Sequence, residues 1–202
     1  MEQILIHSIA KKLLINPNTL LIFRKNGEDL KQFIFSEYKL EGNILLLNFT
    51  GIESITGSVI DEIILKEYEN KPQQKSSKFL GAFVVTNLEK EVIESLENEF
   101  LARMKRKDKS NEFILYLDEK QKTWRLIPDQ DDSPFLEPKL KEVLQIIMEK
   151  KKTTSTQLVE ILKNKEEIST KNARIRLEKL FNFRLVNKVK GDGKEYIYQS
   201  LF

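Results

Sequence analysis

Near the carboxyl end of the chain, five polar or basic residues stand close enough together to contact one stretch of phosphate backbone. They are Ser169, Thr170, Lys171, Asn172 and Arg174. A Ser or Thr at the start of a helix caps it, and the free N–H groups there attract a phosphate oxygen. Asn can form two hydrogen bonds with adenine, and Arg or Lys can do so with guanine. This cluster therefore predicts contact with double-stranded DNA.

More basic residues continue the pattern on the same helix and beside a Gly-containing turn at 191–193. Lysines on two strands that flank a tight turn can straddle a nucleic-acid backbone and contact its phosphates. The additional candidates are Arg176, Lys179, Lys188, Lys190 and Lys194. Two alternatives stay open. The basic residues form an ordinary solvated surface, or the segment binds protein rather than DNA.

The charge is distributed unevenly along the chain. The whole sequence has 34 basic and 31 acidic residues, a net charge of +3. Residues 136–202 hold 15 of the basic and 9 of the acidic residues, a net of +6, which leaves −3 for residues 1–135. The sign changes after the polar segment Asp129–Pro134, which is typical of a linker. A basic unit behind an acidic one favours nucleic-acid binding by the basic unit alone.

The elements that must position these residues follow from hydrophobic periodicity. Residues 136–151 and 155–163 have apolar positions at helical spacing, and a third helix begins behind a hydroxyl cap at Ser169 or Thr170. Residues 185–190 and 194–199 alternate as two strands around the turn. The segment therefore predicts three helices followed by a β-hairpin.

The run STKNARIRLEKLFNFRLVNKVKGDGKEYIYQSLF resembles the recognition helix and wing of bacterial winged helix-turn-helix regulators. The resemblance implies an α+β winged helix domain over residues 134–202. It also implies that the third helix enters the major groove and that the wing lies on the backbone or in the minor groove. Whether the chain pairs into a homodimer, as such domains commonly do, is left open.

The first two thirds of the chain alternate between strand and helix patterns. The run NILLLNF at Asn43–Phe49 is apolar as in a strand covered on both faces, and a helical pattern begins at Ser58. A second pair, Phe79–Val85 and Leu88–Met104, repeats this order. Further elements are expected at Thr19–Phe23, Leu30–Tyr38, Phe113–Leu117 and Thr123–Ile127. The alternation predicts a small α/β sandwich over residues 1–130.

The segment NILLLNFTGIESITGSVIDEII resembles the core motif of STAS domains, in which a buried strand leads through a short loop to a helix start. Asn48–Ile52 matches the end of that strand. Ser58–Glu62 is similar to the Ser-Phe-x-Asp-Glu sequence of a STAS-like family of unknown function, and Gly27–Leu30 resembles its Gly-Glu-x-Phe helix start. The resemblance implies a STAS-like domain, fused to the winged helix, that binds a protein partner.

Thr56 and Ser58 lie near the position at which antagonist STAS domains are phosphorylated, so the resemblance makes them the candidate phosphoacceptors. A phosphate at a helix start is tolerated by the helix dipole and can still repel an acidic partner. The alternative interpretation is that both hydroxyls only cap the helix. Asp61 and Glu62 follow in the first turn, where the dipole favours acidic side chains.

The composition argues against catalysis. The chain has no Cys and a single His, His7, which excludes a thiol nucleophile, a Cys zinc site and a multi-histidine metal site. It also lacks a Gly-rich phosphate loop. No apolar run reaches the roughly 20 residues of a membrane span, and the first residues do not follow the pattern of a signal peptide. We therefore expect a cytoplasmic protein that is not an enzyme and that needs no cofactor.

These patterns favour a non-enzymatic bacterial regulator of transcription. Its N-terminal STAS-like domain would sense a signal or bind a partner, and its winged helix would bind DNA. The alternative hypothesis is a partner-switching adaptor, which a histidine-kinase-like ATPase binds and phosphorylates. In that case the winged helix would dock onto a protein.

Overall fold

A five-stranded mixed sheet organises the computed structural model of this protein. The structure describes residues 2–13, 20–21, 23–67, 80–106, 113–118, 122–128, 136–191, 193 and 195–202. The strand order is β1 (Glu2–Leu5), β3 (Ile44–Asn48), β5 (Ala82–Thr86), β6 (Ile114–Asp118) and β7 (Thr123–Ile127). The first four strands are parallel, and β7 pairs antiparallel with β6.

The side chains of the central strands alternate between two hydrophobic cores, one on each face of the sheet. Leu45 and Leu47 of β3 belong to the first core, whereas Leu46 of β3 and Val84 of β5 belong to the second. Because successive side chains of a strand point to opposite faces, a strand covered on both faces must be apolar throughout. The prediction of a doubly covered strand within Asn43–Phe49 is therefore confirmed.

The first core lies between the sheet and the helices of the N-terminal two thirds. These helices are α1 (Ile6–Lys12), α2 (Arg24–Glu37), α3 (Gly57–Ile60) and α4 (Lys90–Arg106). Helix α3 continues directly as a π-helical turn over Asp61–Leu65. A short parallel pair, β2 (Leu20–Leu21) and β4 (Ser54–Ile55), completes this part of the structure.

The second core joins the opposite face of the sheet to the C-terminal elements. These elements are α5 (Pro138–Lys150), β8 (Lys152–Thr153), α6 (Ser155–Leu162), α7 (Thr170–Asn182), β9 (Asn187–Lys190) and β10 (Tyr196–Gln199). Strands β8, β10 and β9 form a three-stranded antiparallel sheet in that order. Phe113, beside β6, packs against Phe183, which follows α7, with ring centroids 5.5 Å apart. The large sheet and the C-terminal helices therefore share one apolar core.

The three predicted C-terminal helices and the hairpin are present in the predicted order. The short strand β8, which lies between α5 and α6 and pairs with β10, was not predicted. The elements expected at Phe113–Leu117 and Thr123–Ile127 are also confirmed, as the strands β6 and β7, which pair as an antiparallel hairpin. The predicted linker at Asp129–Pro134 lies entirely outside the described residues. Among the described residues, no helix combines the length and the apolar character needed to cross a membrane.

Several N-terminal expectations need correction. Strand β1 and helix α1 were not predicted, because β1 is short and begins with the polar residues Glu2 and Gln3. Helix α2 begins at Arg24 rather than at Gly27, because the Asn26 side chain accepts a hydrogen bond from the Phe23 N–H at 3.1 Å. That bond satisfies a donor at the helix start.

Two further boundaries differ from the predicted ones by a few residues. Strand β5 ends at Thr86, one residue later than expected, and α4 runs from Lys90 to Arg106 instead of from Leu88. The Asn87 between them has φ 57°, and this left-handed residue turns the chain before α4 begins. A strand followed by a helix is nevertheless the order that the sequence predicts for this segment.

Candidate nucleic-acid interface

The start of α7 presents the predicted cluster of polar and basic side chains to solvent. Ser169 is the N-cap, and its hydroxyl accepts a hydrogen bond from the Asn172 N–H at 3.2 Å. Ser169, Thr170, Lys171, Asn172 and Arg174 are all exposed. The cap satisfies one of the first free donors of the helix, while the exposed side chains remain available to a ligand.

Lys171 and Arg174 are the basic side chains that the first turns of α7 expose to solvent. Neither makes an ion pair within the described part of the chain, and both are exposed. Beside them Ile175 is 46% exposed, although the opposite face of α7 is buried through residues such as Leu177. An exposed apolar side chain beside two cations that form no ion pair among the described residues is suited to a nucleic-acid groove, where the thymine methyl group offers an apolar contact.

Arg176 points away from this surface and is held by Glu166, in the turn before α7. Only 15% of the Arg176 side chain is exposed, and its Nη2 donates to Oε2 of Glu166 at 3.1 Å. A second hydrogen bond joins the other terminal nitrogen to Oε1. The hydrogen bond from Arg176 is the main reason that the pKa of Glu166 falls to about 2. The Arg176 side chain is therefore directed towards Glu166, between α7 and the turn before it, and not towards the exposed face of α7.

Lys179 also has an internal partner. Its Nζ lies 2.9 Å from Oε1 of Glu137, at the start of α5. The Lys179 side chain is 43% exposed, so this ion pair is accessible to water and weak. The pair nevertheless directs Lys179 towards α5, away from the first turn of α7.

Lys188 is the most deeply buried of the candidate cations that the structure describes. Its side chain is 7% exposed, and its Nζ donates to Oε1 of Glu178 at 2.6 Å. The same oxygen accepts a hydrogen bond from the Tyr198 hydroxyl at 2.8 Å. The Nζ also lies 4.2 Å from the ring centre of Tyr196 and 5.2 Å from that of Phe181. Lys188 thus links the β9–β10 hairpin to α7. Because its ammonium group is buried among these partners, it is not available to contact a phosphate.

The Tyr198 hydroxyl belongs to the same buried group. Burial raises the pKa of Tyr198, and the hydrogen bond to Glu178 raises it further. Tyr198 therefore stays protonated and donates to the carboxylate over the ordinary pH range. This arrangement fixes the position of β10 against the helix.

Lys190, at the end of β9, is exposed and makes no ion pair among the described residues. It lies opposite Tyr196 in the hairpin register. Lys194, the last basic candidate, lies outside the described residues, as does Asp192 at the turn. Lys190 is thus the hairpin lysine that the structure places in solvent.

Glu195 was missed by sequence reasoning, although it anchors the hairpin to α6. Its Oε1 accepts hydrogen bonds from the Ser155 hydroxyl at 2.5 Å and from the Thr156 N–H at 2.9 Å. The hydrogen bond from Ser155 is the main cause that lowers the pKa of Glu195. The signal available in the sequence was the Ser-Thr pair at the start of α6, which can bind a carboxylate from a distant strand.

Thr56 and Ser58, the candidate phosphoacceptors, lie at the start of α3 and are partly exposed. Their hydroxyl oxygens are 2.9 Å apart and hydrogen-bond to each other. Thr56 occupies the N-cap position, but its side chain makes no capping hydrogen bond. The interpretation of Thr56 as a side-chain cap is therefore wrong.

The acidic pair Asp61 and Glu62, which the sequence places where the helix dipole favours acidic side chains, is buried. Arg24 Nη1 lies 2.6 Å from Glu62 Oε1 and 3.4 Å from Asp61 Oδ2. Lys66 is a further partner of Glu62. Burial by itself raises the pKa of Glu62, but hydrogen bonds from Lys66 and Arg24 outweigh it and lower the pKa. Two cations thus stabilise the pair, and the dipole explanation is insufficient.

The two motifs with the STAS-like resemblance contact each other. A Cβ atom added at Gly27 would lie 2.8 Å from Cβ of Glu62 and 2.9 Å from the carbonyl oxygen of Val59. Any side chain larger than hydrogen would therefore separate α2 from α3. The glycine of the first motif is required by the close approach of the second.

Comparison of the chain with protein-family models, with curated proteins and with solved structures finds no match. The described residues also contain no group of three or more His, Cys, Asp or Glu side chains arranged to hold a metal ion. The site must therefore be interpreted from its own geometry.

Proposed function

We propose that this protein is a non-enzymatic regulator of transcription that binds double-stranded DNA through a winged helix over residues 134–202. The observation that carries the proposal is the division of cations on α7 and the hairpin. Lys171, Arg174 and Lys190 are exposed without ion pairs in the described part, whereas Arg176 and Lys188 are paired with acids. Two of these exposed cations, Lys171 and Arg174, lie in the first turns of α7, and phosphates attract cations that have no internal partner.

In this proposal α7 is the recognition helix, and its first turn enters the major groove. Asn172 and Arg174 would contact base edges, and Lys171 would contact a phosphate. Ile175 would contact a thymine methyl group. The internal ion pairs have a different role, because Glu166, Glu178 and Glu195 hold the turn, the hairpin and α6 in place around the helix. A rigid support of this kind presents the recognition helix in one orientation.

The N-terminal part is proposed to be a STAS-like domain over residues 1–130 that binds a partner or senses a signal. The close approach of Gly27 to Glu62 supports this, because the two segments that resemble the STAS-like family pack directly against each other. The start of α7 is exposed, whereas the buried side chains of the C-terminal helices share the second core with the large sheet. Regulation would then act through the shared core rather than by covering the recognition helix.

The experiment that tests the proposed function is fluorescence anisotropy of a labelled random-sequence duplex titrated with the full chain over a range of salt concentrations. The full chain is required because the second core contains Leu46, Val84 and Leu126 from the sheet, which a C-terminal fragment would lack. We expect binding at low salt that weakens steeply as salt rises, because released counterions drive it. Absence of binding at low salt would contradict the proposal.

The partner-switching adaptor is the second candidate, and the partly exposed hydroxyl pair of Thr56 and Ser58 is the observation that favours it. It predicts that a histidine-kinase-like ATPase encoded beside the gene, supplied with ATP, adds phosphate to one of these residues. Intact-mass measurement of the wild type and of T56A/S58A would test this. A mass gain in the wild type alone supports the adaptor, and no gain in either protein argues against it.

A further inference from the structure

A cavity of about 450 Å³ lies where the β6–β7 hairpin meets the end of α5 and the last residues of the chain. Its apolar walls come from both parts of the structure: Leu117 and Trp124 from the hairpin, Met148 from α5, and Phe202. Leu117, Trp124 and Phe202 are only partly buried and border the second core. A cavity of this size, at a junction between elements, is within the range that holds a small organic molecule.

Two lysines and one acidic residue, Glu149, are among the residues that line this cavity. Both lysines, Lys122 and Lys151, are exposed. Lys151 Nζ lies 5.8 Å from the ring centre of Phe202 and donates to the Phe202 backbone oxygen at 3.4 Å. Lys151 is the C-cap of α5, with φ 66°, and Lys122 lies in the turn directly before β7, with φ 54°. A left-handed residue is ordinary where a helix ends or a hairpin turns, so the backbone at both positions is explained by these elements.

We propose that this cavity binds a small organic anion with an aromatic body. The body would pack between Trp124, Leu117 and Phe202, and the anionic group would lie between the ammonium groups of Lys122 and Lys151. An apolar cavity with a few convergent polar groups at its mouth is the usual form of such a site. The proposal does not depend on DNA binding, and either can fail without the other.

The cavity lies next to the ends of β8 and β10 in the three-stranded sheet. Lys151 directly precedes β8, and Phe202 follows β10. The backbone joins the two ends, because the Ser200 N–H donates to the Lys151 carbonyl oxygen at 2.9 Å. A ligand in the cavity would therefore contact both the large sheet and the residues that flank the three-stranded sheet. Since it binds the folded chain alone, it would raise the midpoint of thermal unfolding.

Trp124 makes the proposal directly measurable, because it is the only tryptophan of the chain. The probe is 8-anilinonaphthalene-1-sulfonate, an aromatic anion that accepts energy from tryptophan. The matched neutral probe is N-phenyl-1-naphthylamine, which has the same rings without the sulfonate. We expect the anion to quench Trp124 with saturation, to raise the unfolding midpoint and to bind more tightly than the neutral probe. Absence of saturable quenching, or equal affinities of the two probes, would overturn the proposal.

Variants then locate the site. K122Q/K151Q should weaken anion binding about tenfold, which corresponds to ~1.4 kcal/mol for the two exposed charges together, and should leave binding of the neutral probe unaffected. The control is R125Q, because Arg125 lines a separate cavity of about 270 Å³ that also contacts Trp124. Thermal unfolding of each variant checks that it is folded. Weaker anion binding in R125Q with no change in K122Q/K151Q would move the site to the smaller cavity and overturn the proposal.

Discussion

Both terminal nitrogens of the Arg176 guanidinium donate to the carboxylate of Glu166, so the recognition-helix candidate is tied to the turn that precedes it. Arg176 is therefore expected to stabilise the fold rather than to contact DNA. R176A should lower the midpoint of thermal unfolding by a few degrees and leave the DNA affinity of the folded protein unchanged. A double-mutant cycle with E166A measures the coupling. An R176A protein of normal stability and weak DNA binding would contradict this role.

The same ion pair predicts a pH dependence. The hydrogen bond from Arg176 holds the pKa of Glu166 at about 2, below the ordinary value of 4.5. A carboxylate whose pKa is lower in the folded than in the unfolded chain stabilises the fold above its unfolded pKa. That stabilisation is complete above pH about 4.5 and is lost as the pH falls towards 2.

Chemical denaturation of the wild type and E166Q at several pH values measures this effect. We expect E166Q to be less stable at neutral pH and the difference between the two proteins to shrink as the pH falls through this range. E167Q is the matched control, because Glu167 is exposed and makes no ion pair within the described residues. A difference between wild type and E166Q that persists undiminished at low pH would argue against the assignment.

Lys188 and Lys190 lie two residues apart on β9 and should respond differently to the same substitution. K188A removes the cation from beneath three aromatic rings and from Glu178, and should cost about 1–3 kcal/mol of unfolding free energy. K190A should leave stability unchanged and weaken DNA binding. Denaturation and anisotropy on both variants check this, and equal behaviour of the two lysines would refute it.

The close approach of α2 and α3 at Gly27 predicts a specific packing defect. G27A forces a methyl group to within 2.8 Å of Cβ of Glu62, and should destabilise the fold by about 1–3 kcal/mol, as overpacked cores do. G193A is the control, because a Cβ there meets no atom within 4 Å. Denaturant unfolding compares the two. A G27A protein as stable as G193A would show that the two motifs do not need this contact.

The parts of the fold that local patterns determine could be predicted from the sequence. Helix α7, its Ser169 cap and the hairpin follow from helical periodicity, a hydroxyl cap and strand alternation. The apolar run of β3 also indicated a strand covered on both faces. What covers the second face could not be predicted, because no local pattern shows that Phe113 packs against Phe183.

Which basic residues are exposed and which are paired with acidic residues could likewise not be predicted from the sequence. Ten residues separate Arg176 from Glu166, and 40 separate Ser155 from Glu195. Whether a cation on a helix is paired or exposed depends on which distant acid the packing brings to it. Seven of the ten DNA-contact candidates therefore keep their predicted exposed position or lie outside the described residues, and Arg176, Lys179 and Lys188 gain internal partners.

The most direct test of DNA binding by α7 compares the salt dependence of duplex affinity for the wild type, K171A/R174A and K11A/K39A. The control removes the same charge from two exposed lysines that make no ion pairs among the described residues. If α7 meets the phosphates, K171A/R174A binds more weakly, and the slope of log affinity against log salt falls by up to about 2. K11A/K39A should match the wild type. Equal slopes for all three proteins, or an equal loss in the control, would contradict the account.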